Sequence, residues 1–425
     1  MILNFLSIVK EKGFVPNGAR VYYLNRSQPP LLTQMVRLYF DKTGDYEFLL
    51  EALPTLEREH YFWEDQRTVT IDGNDGKKYK LAHYQVDTDQ PRPEAYKEDL
   101  HVAEGVKDKG TDAVKLLYSD LAAGAESGLD YTSRWTATDK LKDPEILKTL
   151  QTHLIIPVEL NSILYQNERD LAVLLRTAIH YLEEKHQDGS DKTRKQVEKL
   201  TASFHRFYQA FENRAKAMKA VLWSDHQGMY KDWNMATHRH EKRYTLTDFW
   251  PLWSMPETMS DEVISNYYQR LISYVHSYQG GLPTTLQSTN LQWDFPNAWP
   301  PLQYMAARGL QQTHDTLIHR HPDQANSKKF KEYRETEITM AQKYIDNAFC
   351  AWYETGGDIP GLLARKAGIN TNDTGNMFEK FDAMHMGRTG EGGEYDPQVG
   401  FGWTNGVAIW LMSLYGDSLT TPPCL

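Results

Sequence analysis

Five carboxylates lie in turns beside glycine, proline or aromatic residues, whereas most acids of the chain lie on charged helical faces. These five are Asp130, Glu379, Glu394, Asp294 and Glu94. Such neighbours let the backbone approach a ligand closely and lower the local dielectric constant. Hydrolysis of a glycosidic bond needs one protonated carboxyl that donates to the leaving oxygen and one ionised carboxylate opposite it. The pattern indicates sugar-cleaving chemistry, although any one of these acids could equally be a capping or turn-forming carboxylate.

The aromatic residues support the same interpretation. They make up 12% of the chain, with 11 Trp and 25 Tyr, and several lie in polar connectors rich in glycine and proline. A pyranose ring offers apolar C–H faces to indole and phenol rings, while its hydroxyls require carboxylates, amides and guanidinium groups. This distribution is typical of a carbohydrate-binding protein.

The spacing of apolar residues predicts a predominantly α-helical chain. Apolar residues three and four apart predict helices over 31–40, 46–63, 143–151, 160–184, 197–223, 261–278, 328–351 and 404–414. The first ten residues resemble the middle of a helix more than a signal peptide. Alternation over 68–71 and 78–82 predicts one small β-hairpin.

Composition excludes several classes of protein. With 40% hydrophobic and 24% charged residues, the 425-residue chain can bury a large core, and we expect a single domain over 1–425. The net charge of −10 argues against a nucleic-acid partner. No apolar run reaches the length of a membrane span. Cys350 and Cys424 lie far apart and predict no disulfide framework, and the compartment and oligomeric state stay open.

Two motifs suggest other chemistry but lack the residues that it would need. Residues 400–406 resemble a glycine-rich phosphate loop, yet no strand precedes them and no lysine follows. His238 and His240 could form a metal pair, but no nearby acid or cysteine completes a ligand set. We therefore predict neither a phosphate loop nor a metal site.

A set of ordered motifs resembles glycoside hydrolase family 37, the trehalases, over nearly the whole chain. The motifs share family order and include runs that are specific to it. They are Arg26-Ser27-Gln28-Pro29-Pro30, Pro91-Arg92-Pro93-Glu94, Glu126-Ser127-Gly128 through Trp135, Gln292-Trp293-Asp294-Phe295-Pro296-Asn297, Phe378-Glu379-Lys380-Phe381-Asp382, Gly392-Gly393-Glu394-Tyr395 and Gly400 through Val407.

The resemblance implies an (α/α)6 toroid whose loops enclose a deep pocket. It also implies that water hydrolyses the α,α-1,1 link of trehalose with inversion and without a metal or organic cofactor. Asp130 matches the general acid and Glu379 the general base. Positions that hold the glucose hydroxyls match Asn17, Arg26, Ser27, Gln28, Arg92, Pro93, Glu94, Gly128 and Glu394.

The chain departs from the family pattern at its N-terminal side. No segment matches the first family signature, a Pro-Gly-Gly-Arg-Phe and Tyr-Tyr-Trp-Asp run, so we expect an N-terminally incomplete toroid that lacks the first helices. Leu129 stands beside the predicted acid where the family usually has Trp. Two hypotheses follow: a working inverting trehalase, or an inactive or truncated trehalase-like sugar-binding protein.

Overall fold

Helices dominate the computed structural model, which describes residues 1–73, 75–185, 191–393 and 396–425. Twelve α-helices lie within these ranges. They are α1 (Ile2–Lys12), α2 (Leu32–Thr43), α3 (Tyr46–Gln66), α4 (Tyr96–Glu104), α5 (Thr111–Glu126), α6 (Val158–Lys185), α7 (Asp191–Val221), α8 (Pro251–Ser254), α9 (Asp261–Ser277), α10 (Pro300–Arg320), α11 (Lys328–Glu354) and α12 (Gly402–Tyr415). The prediction of an all-α chain is confirmed.

The strands are short and form four small antiparallel sheets. They are β1 (Thr68–Asp72), β2 (Lys78–Ala82), β3 (Ile155–Ile156), β4 (Trp223–Ser224), β5 (Met229–Tyr230), β6 (Trp233–Asn234), β7 (Arg239–His240), β8 (Asn297–Ala298) and β9 (Phe381–Asp382). The predicted hairpin is β1 and β2, with Thr68 opposite Ala82. Among the others, β8 pairs with β9, two segments that are over 80 residues apart in sequence.

The predicted turn between the second and third helices has a clear physical basis. Gly44 takes a left-handed conformation with φ of 63°, which ends α2, and Asp45 then caps α3 by accepting a hydrogen bond from the Phe48 amide at 3.0 Å. The helix predicted over 143–151 is wrong. Only a short 3₁₀ turn (Glu145–Thr149) forms there, because the chain leaves the helical conformation at Leu150, which has ψ of 141°.

Two hydrophobic cores lie within the described residues. The smaller one joins α1 and α2 to the first half of α3, the second half of α6 and the first half of α7; Leu6, Leu53 and Leu175 belong to it. The larger one contains residues from the other halves of these three helices and from α4, α5 and α8 to α12. The first residues form a helix as predicted, and Leu6 and Val9 of this helix, α1, pack within the smaller core.

A layer of buried polar side chains lies where α3, α6 and α7 pass from one core to the other. Arg214 of α7 forks onto Glu168 of α6, with its Nη2 at 2.6 Å from Oε1, and also donates to Asn161 at 3.0 Å. His60 of α3 lies 3.6 Å from the same carboxylate, and burial lowers the pKa of its imidazole to about 3. Burial also raises the pKa of Glu59 to about 8.

A disulfide joins Cys350 of α11 to Cys424, a pairing that the sequence did not predict. The sequence gives no sign of their proximity, because the two cysteines are 74 positions apart. The C-terminal tail folds back along α11, where the Thr420 amide donates to Gln342 Oε1 at 2.7 Å. In the part of the chain that the structure describes, no helix has both the length and the apolar character needed to cross a bilayer.

Candidate active site

The predicted acid follows the C-terminal end of α5. Ser127 ends this helix, and its hydroxyl donates to the Gly124 carbonyl at 2.6 Å while accepting from the Leu129 amide at 3.0 Å. Gly128 then takes φ of +69°, and a Cβ at this position would lie 2.9 Å from Gln28 Oε1. Glycine is therefore required at 128 both by the left-handed backbone and by the approach of Gln28.

Asp130 is half-buried, and its neighbours hold the backbone around it. The Gln292 side-chain amide donates to the Asp130 carbonyl, and the Trp293 amide donates to the Tyr131 carbonyl at 3.1 Å. The Tyr131 hydroxyl donates to the Leu121 carbonyl at 2.8 Å, which returns this ring to α5. The guanidinium of Arg92, another predicted site residue, lies 5.1 Å from the centre of the Tyr131 ring.

The loop between α1 and α2 brings four predicted binding residues to the same end of α5. Arg26 is fully buried and donates from Nε to Asn17 Oδ1 at 3.2 Å, while its Nη2 pairs with Glu94. The Asn17 side chain in turn donates to the Ala125 carbonyl at 3.2 Å. The Ser27 hydroxyl donates to the Val15 carbonyl at 2.8 Å, so this side chain also shapes its own loop.

Glu126 attaches this loop to the helix, and sequence reasoning did not select it. The carboxylate is fully buried and accepts from Arg67 Nε and Nη2 at 2.8 and 2.9 Å, from the Ser27 amide at 2.9 Å and from the Gln85 amide at 3.3 Å. Its position inside the Glu126-Ser127-Gly128 motif was the available signal. Glu126 is the last residue of α5, and Asp130 follows shortly after it. The Glu126 carboxylate therefore holds the loop of Arg26 and Ser27 close to the segment that contains Asp130.

Arg92 and Glu94 enter the site through the connector before α4. Asp99 of α4 accepts from the Arg92 backbone amide at 2.7 Å, from its Nε at 3.0 Å and from its Nη2 at 2.7 Å. This forked pair fixes the guanidinium plane, which a lysine could not reproduce. Pro93 is exposed and begins the short 3₁₀ turn (Pro93–Ala95) that includes Glu94.

The predicted base, Glu379, lies in a buried turn that is held by α12 and by the loop just before α12. Its side chain and backbone are 3% exposed, and the Gln398 amide donates to its Oε2 at 3.1 Å. The Trp403 indole donates to the Glu379 carbonyl at 2.9 Å, and the Thr404 hydroxyl donates to the Phe378 carbonyl at 2.7 Å. The glycine-rich motif over 400–406 therefore supports the turn of Glu379 from the start of α12.

Lys380, which sequence reasoning also passed over, is fully buried beside the base. Its ammonium donates to the carbonyls of Glu391 and Gly392 at 3.2 and 2.7 Å, and burial lowers its pKa to about 8. These two carbonyls belong to the run that leads to Glu394. Glu394 itself lies outside the described residues, so its predicted role stays a prediction.

Asp294, one of the five candidate acids, is bound by hydrogen bonds to other buried residues of the protein. It is fully buried and accepts from the hydroxyls of Thr132 and Thr285 at 2.8 and 2.9 Å and from the Ser133 amide at 2.9 Å. Burial raises the pKa of its carboxyl. Through these hydrogen bonds, Asp294 links Thr132 and Ser133, which follow Asp130, to the segment that begins at Gln292.

Two neighbouring clefts with lining residues in common lie along α7. The larger has a volume of about 630 Å³ and shares Tyr79 and Lys216 with the second, of about 410 Å³. In the larger cleft, Asp75 accepts from the Tyr79 hydroxyl and Asp225 from the Trp223 indole, each at 2.7 Å. Neither cleft is lined by a predicted site residue, so we place the candidate active site around Asp130 and Glu379.

Among solved structures, the neutral trehalase Nth1 of Saccharomyces cerevisiae superposes with a TM-score of 0.62 at 19% identity, over 96% of this chain and 66% of that one. This likeness confirms the predicted (α/α)6 toroid.

Sequence relatives extend along the whole chain. A trehalase of Dictyostelium discoideum is 35% identical over 432 residues, which cover 100% of this chain and 64% of the relative. A human trehalase is 35% identical and covers 99% of this chain and 62% of its own length. The chain thus spans about three fifths of the length of these relatives. The family model for trehalase matches residues 1–365 and 362–416. This chain belongs to the trehalase family.

Proposed function

We propose that the chain hydrolyses α,α-trehalose to two glucose molecules by an inverting acid/base mechanism. The observation that carries the proposal is that the segment 292–299 contacts the surroundings of both Asp130 and Glu379. At the start of this segment Gln292 donates to the Asp130 carbonyl, and near its end β8 pairs with β9, the strand just after Glu379. Membership of the trehalase family supports trehalose as the substrate.

In this mechanism the two carboxyls have opposite protonation states before reaction. Asp130 donates its proton to the glycosidic oxygen as the bond from that oxygen to C1 breaks. Glu379, ionised, takes a proton from the water whose oxygen forms the new bond to C1 from the opposite face. Asp130 ends ionised and Glu379 protonated, and exchange with solvent restores both. The two carboxyls should lie about 6.5–9.5 Å apart in the sugar complex, which leaves room for the water.

The surrounding polar groups are suited to hold glucose hydroxyls. We assign this role to Asn17, Arg26, Ser27, Gln28, Arg92, Pro93, Glu94, Gly128 and Glu394. The pairing of Arg26 with Glu94 and of Arg92 with Asp99 orients the guanidinium groups in advance, so that little conformational entropy is lost on binding.

The test is glucose release from trehalose with NMR detection of the anomers formed first. Inversion at one ring and departure of the other predict equal initial α- and β-glucose. Asp130→Asn and Glu379→Gln should abolish release and leave the circular dichroism spectrum unchanged, while Asp139→Asn, the same change at an exposed aspartate, should have no effect. Unaltered rates in either catalytic variant would refute the assignment, and a folded wild type that binds trehalose without cleaving it would indicate a sugar-binding protein.

A further inference from the structure

Gln292 lies at the point where the segment Gln292–Trp299 meets the predicted acid. It is 2% exposed, and its side-chain amide is directed at the Asp130 carbonyl. A carbonyl oxygen can only accept a hydrogen bond, so the nitrogen of the amide must be the atom that faces it. Gln292 is therefore a donor to the backbone of the residue that carries the acid.

The position of this donor matters because of the residues on either side of Asp130. Leu129, just before it, is buried; its amide donates to the Ser127 hydroxyl at 3.0 Å and its carbonyl accepts from the Trp135 indole at 3.1 Å. Tyr131, just after it, is fixed by its buried ring and by its hydroxyl bond to Leu121. Asp130 lies between two residues that hydrogen bonds hold in place, and the Gln292 amide adds a restraint on the carbonyl of Asp130 itself.

Gln292 is itself held rigidly from the side of the base. Its carbonyl accepts from the Asn297 side chain and from the Trp299 indole, both at 2.9 Å. The Trp299 ring stacks on Trp293 at 3.8 Å, and the ammonium of Lys380, next to the base, lies 5.3 Å from the Trp299 ring centre. Asn297 also donates to the Glu391 carbonyl at 2.6 Å. These contacts give Gln292 a position that is defined relative to Glu379.

We propose that Gln292 is a positioning residue that sets the orientation of the Asp130 carboxyl relative to Glu379. The inference rests on the proposed function, in which Asp130 is the general acid. Gln292 acts through the backbone of Asp130, so its loss should weaken proton donation and leave water activation by Glu379 in place.

Two substrates separate these effects. Trehalose needs a proton on its leaving oxygen, whereas α-glucosyl fluoride releases fluoride without one and still needs an activated water. Because a misplacement of about 1 Å can cost about 10²-fold, Gln292→Met should lower kcat for trehalose by about 10²-fold with little change in KM. For α-glucosyl fluoride the loss should stay below about threefold, since base catalysis is intact.

Gln303 provides a matched control. It is a buried glutamine of α10 whose amide also clasps backbone, donating to the Leu282 carbonyl at 2.8 Å and accepting from its amide at 2.9 Å. Gln303→Met should affect both substrates equally. Equal losses on both substrates in Gln292→Met, or no loss on trehalose, would overturn the inference. Asp130→Asn must show the same trehalose-selective loss; if it does not, the acid assignment fails, and the role of Gln292 fails with it.

Gln292→Glu tests the same inference with less change in volume. The introduced carboxyl, when protonated, can donate to the Asp130 carbonyl as the amide does, whereas its ionised form cannot. Between about pH 7 and about pH 5 the trehalose rate of this variant, divided by that of the wild type, should rise at least about threefold. The same ratio for α-glucosyl fluoride should stay flat, and a flat ratio for trehalose would contradict the inference.

Discussion

Replacement of Glu126 by Gln should destabilise the protein strongly without changing the size of the side chain. The carboxylate accepts four hydrogen bonds, two on each oxygen, from Arg67, Ser27 and Gln85. In the variant one oxygen becomes an amino group that faces two donors, and buried Arg67 loses its counter-charge. Two lost bonds to a charged group, at about 1.5–3 kcal/mol each, agree with the 3–5 kcal/mol typical of a broken buried ion pair. We therefore expect the free energy of unfolding to fall by about 4 kcal/mol.

Urea unfolding, followed by both far-UV circular dichroism and tryptophan fluorescence, measures this difference. Glu145→Gln is the control, because the pair of Glu145 with Lys148 is on the surface, with 59% of the glutamate side chain exposed, and should contribute about 0–1 kcal/mol. A loss in Glu126→Gln no greater than in the control would refute the reasoning. The double variant Glu126→Leu with Arg67→Met, which leaves no charge unpaired, should be more stable than Glu126→Gln.

Three further predictions concern other buried groups. Lys380→Met removes both hydrogen bonds to the 391–392 run, and we expect kcat/KM for trehalose to fall at least about tenfold in steady-state assays, with partial recovery in Lys380→Arg. Burial raises the Glu59 pKa to about 8, so the folded state binds the Glu59 proton more tightly than the unfolded chain does. The free energy of unfolding should therefore fall as the pH rises from about 4.5 to about 8, by at most about 1.4 kcal/mol per pH unit. Glu59→Gln should remove that dependence in urea titrations at several pH values, and an unchanged pH profile would contradict it. The double variant Cys350→Ser with Cys424→Ser removes a bond between positions 74 apart, and the free energy of unfolding should fall by about 4 kcal/mol in the chain-entropy model. Thiol titration of the unfolded, unreduced wild type should find no free thiol.

The helices α2, α3 and α11 were predictable from the sequence, because each has a stripe of large apolar residues at helical spacing. The helices α5 and α10 were not predicted. In α5 and α10 the buried positions include Ala and Gly, because other segments pack closely against them. At Gly124, for example, a Cβ would lie 2.5 Å from the Tyr131 ring. Hydrophobic patterns carry little information where the packing demands small side chains.

The candidate site shows a similar division. Residue types selected five acids beside glycine, proline or aromatic residues without ranking them, and the predicted roles of Asp130 and Glu379 come from the family motifs. The residues that hold them, such as Glu126, Gln292 and Lys380, were inside the same motifs but had no local feature that separates support from catalysis. Their partners are distant in sequence, as with Glu126 and Arg67 or Gln292 and Asp130. The Cys350–Cys424 bond was missed for the same reason.

The two cores share three helices, and in the proposed function this arrangement connects sugar affinity with local unfolding. The loop of Asn17 to Gln28 joins α1 to α2, the helices of the smaller core, whereas Asp130, Gln292 and Glu379 belong to segments around the larger one. A sugar held between them binds only when both cores are formed. By mass action, occupancy therefore raises the free energy needed to open α1 and α2, so bound sugar should slow amide hydrogen exchange in helices that it does not touch. Some of the intrinsic binding free energy would then offset the opening of the smaller core, so the apparent affinity for sugar would be weaker than the intrinsic one.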